Sequence, residues 1–259
     1  MARAVALRKV ATSPRIATKS ILHPATACHT CPVQPRCVPG GFEPELTHEF
    51  EQLLGHQLRV RKGKPVYRIG DKFEALFAIR SGSFKTVFFS EDGYEQITGY
   101  RLPAEVIGTD GIHNEIHREE AIALEDSVVC PLSFDELERL AVSRPALQRS
   151  IHRLLSREVA RDHRSMLMLG SMRAEQRLVS FLLDLAARYQ ALGYSSSEFL
   201  LRMTREEIGN LLGLKLETIS RLFSYLHREG MIQSQGRNVK ILDGTALQLV
   251  MSGDGRKGV

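Results

Sequence analysis

Four cysteines, Cys28, Cys31, Cys37 and Cys130, are all the chain contains, and the first three follow the spacing C-x2-C-x5-C. Closely spaced thiols in a reducing compartment more often hold a metal than form disulfides. Four thiolates suit zinc or an iron–sulfur centre. A zinc ribbon usually brings a second C-x2-C, whereas here a lone Cys130 follows 93 residues after Cys37. The three-plus-one arrangement leans toward [4Fe–4S], with zinc and unligated thiols still open. A solitary Cys130 is also what a buried core position would hold. Pro32 after Cys31 has no N–H to offer a ligand, and Arg36 before Cys37 is expected to set a cation beside an anionic site.

A second constellation suits DNA. Thr204 followed by Glu207 has the form of a capping box, which starts a helix with Ile208, Leu211 and Leu212 on its inner face. Gly213 ends it. A second helix is expected from about Leu216 to Arg228, closed by Gly230. It buries Ile219, Leu222, Phe223 and Leu226 and shows Glu217, Ser220 and Arg221 near its N-terminal end. Two helices joined at a glycine match the unit that enters a major groove. Arg pairs with guanine, Glu accepts from cytosine, and Ser serves either. Lys215, where a capping Ser or Thr would serve better, is placed for a phosphate. Met231–Ser234, a turn at Gln235-Gly236-Arg237 and Asn238–Leu242 form a wing, with Arg237 in reach of a phosphate. The plain alternative is a helical hairpin with a solvated polar face.

The elements around these residues change character along the chain. Pro39-Gly40-Gly41 marks a turn after the cysteines, and a short helix is expected over about 43–55. Short β-rich runs follow at Leu76–Ile79, Phe84–Phe89, Glu95–Tyr100 and Ser127–Leu132, the pattern of a sandwich or barrel. Phe134–Val142 reads as helix. Pro145 can open the next, running to about Leu169. Residues 173–191 carry Leu178, Phe181, Leu182, Leu185 and Tyr189 at helical spacing.

Composition narrows the class. A chain of 259 residues, 43% hydrophobic and 25% charged, is ordinary for globular domains and long enough for two. No apolar run approaches a membrane span, and no signal peptide is legible. The net charge of +5 misleads, because the first 27 residues hold five basic side chains and no acid. That start resembles a mitochondrial targeting peptide, but Pro14 and Pro24 interrupt any helix, and a disordered tail is the expectation. Residues 28–172 are slightly acidic, and 173–259 carry a modest positive excess, weak support for nucleic acid by itself.

A β-rich N-terminal region, a long helix and a winged helix-turn-helix, in this order, resemble the CRP/FNR family over about residues 25–250. Within it the chain is similar to the oxygen sensors of the fumarate–nitrate reduction regulator group. The residues carrying the match are the cysteine spacing with Cys130, Phe77-Ala78-Ile79-Arg80-Ser81-Gly82, Glu95-Gln96-Ile97-Thr98-Gly99 and Glu217-Thr218-Ile219-Ser220-Arg221. The resemblance implies an α+β fold: a jelly-roll sensor domain like the cyclic-nucleotide-binding domains over 28–142, a dimerisation helix over 143–172 and a winged helix-turn-helix domain over 173–259. It implies an oxygen-labile [4Fe–4S] cluster on all four cysteines, a cytoplasmic homodimer, and Glu217, Ser220 and Arg221 as readers of a palindrome resembling TTGAT–N4–ATCAA. It also puts the Ser90–Glu95 turn where relatives touch RNA polymerase, although a solvated turn is the default. The family's nucleotide binders grip phosphate with a Gly-Glu pair and a following Arg-Ser or Arg-Thr. Here Ile107 to Gly111 and Glu119-Glu120-Ala121 stand instead, so no cyclic nucleotide is expected.

The long helix carries Leu155, Val159, Asp162, Met166 and Leu169 at steps of 4, 3, 4 and 3, with Ile151 one turn earlier. That is a coiled-coil seam, which in a parallel dimer meets its copy. Asp162 would then face its own copy, and like charges oppose pairing. With the helix rotated, Asp162 would simply be solvated. Three rivals remain: zinc or thiol-redox input to the same architecture, an iron–sulfur enzyme, and a protein-interaction module. Four thiolates for four irons leave no open iron, which disfavours the enzyme.

Overall fold

The computed structural model describes residues 28–90 and 92–253; the basic tail over 1–27 lies outside the described residues. The expected α+β order is present. Helix α1 (Pro44–Gln52) is followed by β1 (Leu58–Val60), β2 (Ala75–Ser81), β3 (Phe84–Phe89), β4 (Glu95–Arg101), β5 (Val106–Ile107), β6 (Glu119–Ala123) and β7 (Ser127–Ser133). One sheet has the order β1-β7-β2-β5 and the other β4-β3-β6, with antiparallel pairing throughout. The two form a jelly roll.

Strand periodicity decides what lies inside the roll. Phe77, Ile79, Phe84 and Val129 pack together in its interior with Val60, Ile107 and Ala121. Their neighbours Ala78 and Cys130 point to the opposite face, because successive strand side chains alternate. There they join Phe50, Leu76, Leu132 and Leu147 in a separate core. Four strands escaped the sequence reading: β1, β5, β6 and, further on, β8 (Glu198–Leu200). β1, β5 and β8 have three residues or fewer, and β6 opens on Glu119-Glu120, so none shows an apolar alternation.

The helices follow expectation closely. α2 spans Phe134–Ser143, α3 Pro145–Ser171 with its proline in the first turn, and α4 Ala174–Ala191. At 27 residues α3 is about 40 Å long. After β8 come α5 (Arg205–Leu212), α6 (Leu216–Arg228), β9 (Ile232–Gln235), β10 (Asn238–Ile241) and an unanticipated α7 (Gly244–Ser252). The wing is a three-stranded sheet, β8-β10-β9, rather than a bare hairpin. Among the described residues no helix is long and apolar enough to cross a membrane.

The C-terminal unit is docked on the roll. β4 is an edge strand, whose free backbone groups seek partners. Asn210 of α5 supplies them: its Nδ2 donates to the Glu95 carbonyl at 2.9 Å, and its Oδ1 accepts from Ile97 N at 2.5 Å. Gln96 Nε2 returns a bond to the Asn210 carbonyl at 2.7 Å, and Lys85 pairs with Glu207 at 3.0 Å.

Candidate metal centre and nucleic-acid interface

The cysteine loop is built from two 3-10 turns, Cys28–Thr30 and Gln34–Arg36. A 3-10 turn stacks residues three apart. With Cys31 N donating to the Cys28 carbonyl at 2.9 Å, the C-x2-C pair therefore shares one side of the chain. Cys37 N donates back to Val33 and Gln34 carbonyls, both at 3.1 Å. Gly40 closes the loop so tightly that a Cβ there would lie 2.4 Å from the Pro35 carbonyl oxygen, so only glycine fits.

Side chains then fix the loop to its surroundings. His29 N donates to Glu51 of α1 at 3.0 Å, and Ser150 Oγ of α3 donates to the Val38 carbonyl at 2.8 Å. Phe50 of α1 anchors that core at 1% exposure, a burial that contributes roughly 1.5–3 kcal/mol.

All four thiols are half-buried, free of disulfides, and line one cavity of about 30 Å³ with Leu54, Ala78, Ile79 and Arg80. Cys130 sits within β7 rather than at a strand end, opposite Ala78 of β2, whose small side chain leaves room. It is half-buried and packs against the core outside the roll while facing the thiol cavity. Among the described residues no three His, Cys, Asp or Glu side chains converge at ligating geometry, so the thiols surround a common space without meeting at a point.

Burial, then the charge of Glu51, pushes the Cys28 thiol up to about 12. Burial likewise takes Cys37 to about 12 and Cys130 to about 11. Each of the three is raised further by neighbouring cysteines, while Arg80 lowers Cys28 and Cys130. Thiols raised this far hold their protons near neutral pH, so any metal must displace them. The donor set fits a soft four-thiolate centre in an apolar wall. Arg36 does not border this cavity, contrary to expectation; it lines a different one. The bordering cation is Arg80, which Arg36's nearness in sequence had hidden.

The helix α3 is used unevenly. Leu147 is buried, and Ile151 and Leu154 pack half-buried against the core beneath the cysteine loop. Ile151 thus serves the chain's own core. Leu155 is half-buried, and beyond it Val159, Met166 and Leu169 are exposed at 54%, 69% and 38%, with Asp162 exposed among them. Asp162 also adds, after burial and Asp110, to the upward push on the Glu119 carboxyl.

The helix-turn-helix holds the anticipated caps. Thr204 Oγ1 accepts from Glu207 N at 3.1 Å, and Glu207 Oε2 accepts from Thr204 N at 2.7 Å. Gly213 takes the left-handed conformation, φ +63°, at the turn. Lys215 gives α6 no side-chain cap. Lys215, Glu217, Ser220 and Arg221 are all exposed, as is Arg237 in the wing turn, while Ile219, Leu222, Phe223 and Leu226 are buried.

Arg205 was missed by sequence reasoning. Its guanidinium lies 3.2 Å over the Phe223 ring and donates to Ser234 Oγ at 2.8 Å and the Gly236 carbonyl at 3.2 Å, holding the wing against α6. Burial pushes it down to about 10. Nothing in its position after Thr204 signals this, because Phe223, Ser234 and Gly236 all lie far along the chain. Thr204→Ala should lower stability by about 1 kcal/mol through the lost cap, with DNA contacts intact. Denaturant unfolding checks this, and an unchanged midpoint would contradict it.

Asp110, between β5 and β6, is held by the chain's own groups. The Asp110 carboxylate accepts from Arg118 N at 2.7 Å and Glu119 N at 3.1 Å, and His117 Nδ1 lies 3.3 Å away. Burial works to raise this carboxyl, but His117 and the backbone donors outweigh it and hold it below its ordinary value. His117 is itself buried and stacked on Tyr67 at 3.7 Å.

Comparison with known proteins agrees with both halves. The cyclic nucleotide-binding domain family matches residues 57–144, and the Crp-like helix-turn-helix domain family matches 176–250. The transcriptional regulatory protein btr of Bordetella pertussis is 46% identical over 85% of this chain and 90% of its own length. The anaerobic regulatory protein of Pasteurella multocida is 40% identical over 86% of this chain and 82% of its own. The solved structure of FixK2 from Bradyrhizobium japonicum is 26% identical, with a TM-score of 0.69 over 80% of this chain and 99% of that one. A jelly roll, a long helix and a winged helix-turn-helix are thus joined by near-full-length likeness to regulators rather than enzymes: the chain belongs to the CRP/FNR family of transcriptional regulators.

Proposed function

We propose that this regulator answers to oxygen through a [4Fe–4S] cluster held by Cys28, Cys31, Cys37 and Cys130, and acts as a cytoplasmic homodimer on palindromic DNA. The observation that carries this reading is the gathering of thiols from two distant stretches around one cavity. The anaerobic regulatory role named for the Pasteurella relative supports it. When bound, such a cluster supplies an oxygen-labile core that is lost or converted in air. The chain's residues do the rest. Arg80 offsets the negative charge of the thiolates. The Ser150–Val38 bond and the core around Leu147 tie the loop to α3, so thiolate ligation biases that helix.

The stripe from Leu155 to Leu169 would form the dimer seam, while Ile151, one turn earlier, packs into the chain's own core. The rival input is zinc or direct thiol oxidation on the same architecture; iron and sulfide analysis separates them. RNA polymerase is the further partner, through the turn near Ser90–Glu95. No cyclic nucleotide is expected, because Asp110 already takes the Arg118 and Glu119 backbone donors and adds a negative charge beside Glu119.

On a palindrome resembling TTGAT–N4–ATCAA, Arg221→Ala should cost about 1–3 kcal/mol at one guanine and relax choice there. Glu217→Ala should relax the paired position, and Ser220 adds a further contact. Lys215→Ala, and Arg237→Ala in the wing, should weaken every sequence alike and lessen the salt dependence. Binding measured on single-base variants of the duplex tests this. Equal loss on specific and random DNA for Arg221→Ala would put the wrong face in the groove.

A further inference from the structure

Beyond the thiol cavity, Cys37 also borders a second, more polar cavity of about 200 Å³. It lies between the cysteine loop, the β4–β5 connection, α3 and the C-terminal end of α4. Arg36, Arg157, Arg161 and Arg188 line it, against two carboxylates, Glu105 and Glu158.

Those carboxylates are already shared. Glu105 meets Arg188 at 2.9 Å and Arg161 at 3.2 Å, and Glu158 meets Arg161 at 2.9 Å and the buried Arg101 at 2.6 Å. Arg36 and Arg157 have no ion pair among the described residues, and both are exposed. Positive charge is therefore in surplus at the rim. On α3 the contributing residues are Ser150, Leu154, Arg157, Glu158 and Arg161, one face at helical spacing. That face is turned roughly 110° from the Leu155–Leu169 stripe at about 100° per residue, so pairing through the stripe leaves it open.

We propose that this cavity binds a small multivalent oxyanion, a phosphate ester or a polycarboxylate. Guanidinium groups present forked donors that match both. A single water needs roughly 10–15 Å³, so there is room for a compact metabolite rather than for solvent alone. Such a ligand would touch the loop of Cys37, the long helix and the first helix of the DNA-binding unit together. The site does not depend on what the cysteines hold.

The test is calorimetric titration of the full chain with inorganic phosphate and, separately, citrate, at constant ionic strength set with chloride. Two variants accompany it: Arg36→Ala/Arg157→Ala in the cavity, and Lys215→Ala/Arg221→Ala on the recognition helix. Saturable binding is expected, weakened at least about tenfold in the cavity variant and unchanged in the other. Saturation by phosphate alone identifies a phosphorylated ligand, and by citrate alone a polycarboxylate. No saturable binding of either anion overturns the proposal, as does binding that survives in the cavity variant or is lost with the recognition-helix pair.

Discussion

Alanine at Cys130 will leave the anaerobically purified chain without iron and sulfide and without its oxygen-dependent DNA binding, while the fold persists. Cys130 is the sharpest of the four cysteines to test. It lies on β7, a strand paired on one side with β1 and on the other with β2, so no loop movement can bring a substitute into its place. Its side chain is half-buried on the outer face of the roll, and alanine opposite Ala78 loses little packing. Stability of the metal-free protein should therefore change by about 1 kcal/mol or less. Cys28→Ala, Cys31→Ala and Cys37→Ala should lose the cluster in the same way. Iron and sulfide assays with a gel-shift in the absence of oxygen measure the outcome. Full iron and sulfide content in Cys130→Ala would reject the four-thiolate site.

Asp162→Ala is expected to dimerise and bind its site in air, with no cluster present. The exposed stripe of α3 offers Val159, Met166 and Leu169 to a second copy, and Asp162 is the one charged member between them. Two carboxylates about 4 Å apart repel by about 1 kcal/mol in water and about 4 kcal/mol at an effective dielectric near 20. Removing them should tighten self-association by roughly 5-fold to 1,000-fold. Glu119, already raised by burial and by the charges of Asp110 and Asp162, is the nearby group on the chain's own roll that the substitution also relieves. Sedimentation of the aerobic variant at micromolar concentration checks the expectation. A monomer indistinguishable from wild type would remove Asp162 from the switch.

What could be read from the residues in order was mostly local. Capping at Thr204, the turn at Gly213, the proline opening α3 and the polar end of α6 each depend on neighbours within a few positions, and the structure bears them out. Features set by distant chain were hidden. Two glutamates disguised β6, because its pairing with β3 rather than its own alternation makes it a strand. Cys130 declared its type but not its face; the alternation through Val129 turns it outward to the loop. Arg80 borders the thiol cavity and Arg36 does not, although Arg36 is the one next to a cysteine. The hold of Arg205 on the wing and of Asn210 on β4 joins residues far apart along the chain, and no spacing rule reaches them.

Iron, acid-labile sulfide and zinc, measured together on the wild-type chain purified without oxygen, test the account at its centre. The expected result is about four iron and about four sulfide per chain, with a visible absorbance that is lost on exposure to air. About one zinc per chain with no sulfide, stable in air, would contradict it.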